Sequence, residues 1–166
     1  MNRPKTISNA DADRLIQRLP AADRALIGLA IESGLRIGDI LNLRAGDIRR
    51  QMYVWESKSK RAREFKISEK LYNRLRDLCI FKRSSDYVFH SARKSGRSVH
   101  RSTIHRRIKK ALKSLNFDCS AHSTRKLYAQ NVFRRTKSID AVQDALHHQK
   151  RKVTLTYLDL QEDDKK

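Results

Sequence analysis

Apolar residues recur at helical spacing along most of this chain, and the period switches to two residues in only one place. The segments MYVWES (52–57) and REFKIS (63–68) are rich in β-formers, with the polar run KSKRA between them. That reads as two antiparallel strands joined by a basic turn. A single hairpin set into an otherwise helical pattern restricts the fold class to mainly α with a small antiparallel β-sheet (α+β).

The helices can be placed from their ends. Ser8 and Asn9 can cap a helix over 8–19 that carries Leu15, Ile16 and Leu19 on one side and stops at Pro20. A more apolar helix follows over 21–33, and Gly34 is placed to end it in a left-handed conformation. A short helix is expected over 37–43 and another over 69–80, the latter aligning Leu71, Leu75 and Leu78. YVF at 87–89 reads as a short extended segment, and HSARKSGRSVH as a basic loop. Ser102 or Thr103 can cap a helix to Leu115 with a stripe of Ile104, Ile108, Ala111 and Leu115. Further helices are expected from 120–123 to Arg135, over 139–146 behind Ser138, and over 150–160. Five Gly and two Pro leave no room for a long linker. The expected organisation is one domain over 1–166, with its core in about 10–160 and a short tail over 158–166.

Charge narrows the partner. Lys and Arg number 38 against 18 Asp and Glu, a formal net charge of +20 spread from residue 3 to residue 152. Such a surface suits nucleic acid, whose condensed counterions basic side chains displace. A membrane-surface protein would need an amphipathic anchor, and MNRPKTISNADADRL has neither that nor the apolar core of a signal peptide. Cys79 and Cys119 lie forty residues apart with no CxxC pair, which argues against cysteine-held metal and fits a reducing, cytoplasmic setting.

Some polar residues could act on a phosphodiester, which needs a nucleophile, cations for the non-bridging oxygens and a proton for the leaving oxygen. Arg36 follows the helix-ending Gly34–Leu35, and Asp39 at i+3 could orient it. His122 and Arg125 share a helix face, pairing an imidazole with a bidentate anion binder. Lys58 and Lys60 lie on the same side by strand alternation, so periodicity leaves open which of them would protonate a departing oxygen. His148 precedes Tyr157 by nine residues. A phenol with an ordinary pKa near ~10 needs neighbouring cations before it attacks phosphorus.

Together these motifs resemble the catalytic domain of the tyrosine recombinases, the phage integrase family. SGLRIGDILNLRAGDI resembles the family's first-arginine box, and VWESKSKRAREFKIS is similar to its β-hairpin, an alignment that selects Lys58 over Lys60. HSTRKLYAQ resembles the HxxR box, and LHHQKRKVTLTYLDL the final box with its tyrosine. The resemblance covers roughly residues 10–160 and departs in three places. His147 stands where the family usually has Gly, Lys126 where a His often follows the second Arg, and Ser123 and Thr124 are more polar than usual.

The resemblance implies a site-specific DNA recombinase (integrase, excisionase or invertase) that needs no metal and no cofactor. Tyr157 would form a 3′-phosphotyrosyl bond, Arg36 and Arg125 would hold the phosphate, and Lys58 would protonate the 5′-oxygen. His122 would assist proton transfer, and His148 would donate to the phosphate. The implied partners are double-stranded DNA and further copies of the chain, as a homo-tetramer on DNA that is weakly associated or monomeric without it. The setting is prokaryotic or phage-encoded. Lys60, Arg61, Arg63, Arg93, Lys94, Arg97, Arg101, Arg106, Arg107 and Lys126 are the candidate DNA-backbone contacts. Family members commonly carry a separate N-terminal clamping domain, and only about ten residues precede the first helix here, so the expectation is a catalytic domain that is either a fragment or a compact stand-alone member. The rivals are a DNA-binding regulator of the same fold that does not recombine, a type IB topoisomerase-like relaxase, and a generic basic nucleic-acid module.

Overall fold

The computed structural model of the protein describes residues 7–91, 96–113 and 121–160, with only the backbone of Ala121 and His122. Ser8 caps α1 (Asn9–Arg18) through a reciprocal pair, its hydroxyl accepting from the Asp11 amide at 3.1 Å while the Asp11 carboxylate accepts from the Ser8 amide. After Pro20 comes α2 (Ala21–Ser33), then α3 (Ile37–Leu41), which is shorter than expected, and a 3-10 turn over Ala45–Asp47.

The hairpin comprises β1 (Gln51–Glu56) and β2 (Arg61–Lys66), with Glu56 opposite Arg61. The turn is therefore four residues rather than KSKRA. Lys60 takes a left-handed φ of 54°, and its amide closes the loop on the Glu56 carbonyl at 3.0 Å. Next is α4 (Glu69–Asp77), capped by Ser68 and ending before residue 80. Tyr87–Phe89 form no strand; isolated bridges link Arg44 to Tyr87 and His90 to Ser98. The remaining helices are α5 (Arg101–Lys113), α6 (Ala121–Thr136), α7 (Ile139–Leu146) and α8 (Arg151–Leu158). The mainly helical architecture with one small sheet is as expected, and none of the described helices is long and apolar enough to cross a membrane.

The buried apolar residues fall into two main clusters. The larger joins α1 to α5 and the hairpin through Leu26, Ile27, Leu29, Ile40, Met52, Leu75, Ile104 and Ile108. The second joins α6, α7 and α8 through Ala129, Val132, Val142, Leu146 and Leu158. The seam between them runs where α2 packs on α6. Gly34 lies on that seam with φ 66°, and a methyl group there would be driven into the Tyr128 ring. The position therefore excludes a side chain twice over, by backbone conformation and by close approach.

Gly34→Ala should cost at least ~1–2 kcal/mol from the left-handed backbone alone, read as a lower urea midpoint with an unchanged slope. An unshifted midpoint would show that the seam does not depend on this contact.

Candidate active site

Alternation along β1 turns Met52, Val54 and Glu56 inward, so the hairpin delivers a carboxylate to the seam, and that carboxylate is fully buried. Charges drawn from separate segments surround it. Arg36, at the N-terminus of α3, places Nη1 2.6 Å from Glu56 Oε2, and Arg125 of α6 has Nη1 3.9 Å from the same oxygen. Arg63 of β2 donates from Nε to Oε1 at 2.7 Å, with Nη2 at 2.6 Å. His147 Nδ1 lies 3.0 Å from Oε1, off the line of a good hydrogen bond.

Two helix ends complete the electrostatics. Arg63 Nη1 donates to the Ser33 carbonyl at 2.9 Å, and Arg125 Nη1 donates to the Gly34 carbonyl, both at the C-terminus of α2. Arg125 Nη2 donates to the Leu146 carbonyl at 2.6 Å, at the C-terminus of α7. Each helix end carries roughly half a negative charge in unpaired carbonyls. With Glu56 they offset about two of the three guanidinium charges and leave roughly one for an anion. Burial, then repulsion from Arg36 and Arg63, lowers the Arg125 pKa to about 10, so it stays charged at neutral pH. Arg36 and Arg125 also line a cavity of about 80 Å³ with Leu35, Ile37, Gly38, Arg101 and His105.

The final segment brings the phenol. Thr154 and Tyr157, three apart on α8, both face His148. His148 Nδ1 is 3.1 Å from Thr154 Oγ1, and its ring meets that of Tyr157 edge-on at 4.9 Å between centroids. Burial, then the cations Arg125, Arg36, Arg63 and Lys58, push the His148 pKa down to about 4. The imidazole is therefore neutral at pH 7. If the Thr154 hydroxyl donates to Nδ1, the proton of the neutral ring sits on Nε2. Lys58 is exposed in the hairpin turn, close enough for its charge to act on His148. The His122 side chain lies outside the described residues.

Several expectations change. Asp39 does not hold Arg36; its carboxylate accepts from the Ser57 amide at 3.0 Å and so braces the turn that carries Lys58. Arg63 and Lys126 are not surface contacts for a DNA backbone. Arg63 is 5% exposed because strand alternation points it inward onto Glu56, and Lys126 is buried with Nζ 2.6 Å from Asp159 Oδ1, anchoring the end of α8. Arg107 is half exposed and pairs with Asp23 at 3.0 Å. Lys60, Arg61, Arg97, Arg101 and Arg106 are exposed, while Arg93 and Lys94 lie outside the described residues. Glu56 and Thr154 went unread in the sequence. The inward phase of MYVWES, which puts an acid in line with Met52 and Val54, was the available signal for the first. Among the described residues no group of His, Cys, Asp or Glu is arranged to hold a metal ion.

Both the sequence and the fold match known proteins. The sequence model of the phage integrase family matches residues 4–164. The chain is 29% identical over 144 residues to "Probable integrase/recombinase YoeC" of Bacillus subtilis, an alignment covering 85% of this chain and 79% of that protein. It is 29% identical over 147 residues to "Tyrosine recombinase" of Thermosipho africanus, covering 86% of this chain and 51% of the relative. Among solved structures, XerA recombinase superposes with a TM-score of 0.80 at 24% identity, over 98% of this chain and 62% of that one. A lambda integrase fragment (75–356) in a dimer bound to a core site gives 0.75 at 20% identity, over 100% and 63%. The chain thus spans about half to four-fifths of the length of these proteins.

Two outcomes follow from the geometry. Arg63→Ala breaks a buried ion pair and should lower stability by about 3 kcal/mol, leaving the salt slope of DNA binding unchanged; a shallower slope would return Arg63 to the DNA surface. For His148, the native pKa of about 4 lies below the ordinary 6.5. The unfolded chain therefore takes up a proton that the native one refuses, and stability falls as pH drops from about 6.5 toward 4. Imidazole proton signals of His148 should stay flat from pH 8 to 5.5, and a titration midpoint near 6.5 would contradict the packed site.

Proposed function

This chain belongs to the phage integrase family, and on that premise we propose that it cuts and rejoins DNA through Tyr157. The observation that carries the reading is the sharing of one carboxylate oxygen by Arg36 and Arg125, which come from opposite sides of the seam. Both side chains line one small cavity. Planar guanidinium groups suit the non-bridging oxygens of a phosphodiester.

In the proposed step Tyr157 Oη attacks phosphorus, the bond to the 5′-oxygen breaks, and a 3′-phosphotyrosyl bond forms. Lys58 supplies the proton to the departing 5′-oxygen, and His122 assists removal of the phenol proton. His148 donates from Nε2 to a non-bridging oxygen, which its neutral form can do. One phosphodiester is exchanged for another, so the bond energy is retained and a 5′-hydroxyl can reverse the step. Exposed Lys60, Arg61, Arg97, Arg101 and Arg106 are the proposed contacts to the duplex backbone, and Arg93 and Lys94 remain candidates for the same work.

The substrate is double-stranded DNA carrying a specific site, and the working assembly is a tetramer on two such sites. That extension draws on relatives such as the lambda integrase tetramer bound to a Holliday junction, which this chain matches with a TM-score of 0.74 at 18% identity. The proposed setting is the prokaryotic cytoplasm, on the chromosome or phage DNA.

A duplex nicked next to the cleavage point loses the 5′-hydroxyl-bearing fragment after cutting and should trap the protein as a denaturation-resistant adduct. Tyr157→Phe should bind the same DNA and yield no adduct. Arg36→Ala should slow adduct formation by about 10²–10³-fold. Binding with no adduct would make the chain a DNA-binding regulator, site-independent relaxation of supercoils would make it a relaxase, and an adduct persisting in Tyr157→Phe would remove the phenol from its role.

A further inference from the structure

The reaction proposed above gives Glu56 and His147 nothing to do, yet they occupy the centre of the site. We propose that Glu56 is a positioning residue that holds Arg36 in register with Arg125, and that His147 locks its carboxylate to the half of the protein bearing Tyr157. The inference rests on the preceding reading of the site.

Glu56 is fully buried and cannot touch DNA, so it acts through its partners. Its two oxygens are divided between two tasks. Oε1 meets Arg63, whose guanidinium is also fixed by the Ser33 carbonyl, and His147. Oε2 is left to the two arginines that flank the anion cavity. An ion pair serving only to hold the hairpin would be complete with Arg63. Taking Oε2 to Arg36 fixes a side chain that is otherwise part exposed at the start of a five-residue helix.

His147 supplies the second half of the argument. It ends α7 with φ 50°, a conformation glycine adopts freely and a histidine does not. Helix termination does not require an imidazole there; the ring instead reaches across the seam to Oε1. The contact joins β1 to the end of α7, one residue before His148. The charged or titratable groups facing the carboxylate are Arg36, Arg63, Arg125 and His147. Burial, then Arg63, lowers the His147 pKa, and the ring packs against Oε1 at 3.0 Å without a well-aligned hydrogen bond.

The test compares single-turnover adduct formation and DNA affinity for Glu56→Gln, His147→Gly and the double variant. Glu56→Gln should slow cleavage by about 10²-fold, the cost of a small misplacement at a reacting centre, with DNA affinity unchanged. His147→Gly relieves the backbone, so thermal stability should hold or rise while cleavage still slows. The double variant should cleave no more slowly than Glu56→Gln alone, because both act through one carboxylate. If Glu56→Gln does not fold, His147→Gly decides: a wild-type rate overturns the proposal and a slower one supports it.

A second readout needs no reaction. Inorganic phosphate should shift the Arg36 side-chain NMR signals in the unsubstituted protein and fail to do so in Glu56→Gln. Simple electrostatics has the opposite sign, since losing a negative charge beside an anion site tightens binding, and a stronger response would overturn the proposal. No adduct from the unsubstituted chain, with a phosphate response that still depends on Glu56, would sink the recombinase reading and leave this one standing.

Discussion

A carboxylate buried without water must be surrounded by donors, and Glu56 meets that demand with guanidinium groups from α3, β2 and α6. The reverse constraint is equally strong. Three guanidinium groups cannot be drawn together without negative charge among them, and the ends of α2 and α7 supply the rest. The site is therefore a partly neutralised joint between two apolar clusters, left short of about one negative charge. A phosphate diester carries that charge. The hairpin serves this site because β1 ends on the inward-facing Glu56 and its turn begins at the next residue, which leaves Lys58 exposed two positions on.

The same joint sets the behaviour of its neighbours. His148 is half buried beside several cations, which keeps its ring neutral rather than adding a further positive charge. Thr154 fixes the ring from one side and Tyr157 covers its edge. Asp159 holds the end of α8 through Lys126, the residue that sequence reading had placed on DNA.

Much of this was legible in sequence because local rules wrote it. Ser8 and Ser138 cap their helices as read, and Gly34 takes its left-handed turn. The period-two segment is the hairpin, though with a shorter turn. The four boxes were read in order, and the described candidates among them gather at one seam. The errors share a cause. Arg63 and Lys126 were assigned by charge alone, yet Arg63 on the inward phase of its strand is drawn to the buried Glu56, and Lys126, buried on α6, pairs with the exposed Asp159 at the end of α8. Asp39 was paired with Arg36 by helical spacing, but its helix is too short for that rule to govern, and a tertiary partner at Ser57 won. Glu56 could have been inferred from alternation, whereas its sharing among distant segments exists only in three dimensions.

The most direct measurement is a crystal structure of the protein with orthovanadate and a nicked duplex. The account predicts one vanadium centre bridging Tyr157 Oη and the DNA 3′-oxygen, its free oxygens held by Arg36, Arg125 and His148, with Glu56 beneath them untouched by solvent. A vanadate bound elsewhere on the basic surface, with the arginine pocket empty and Tyr157 still packed against His148, would contradict it.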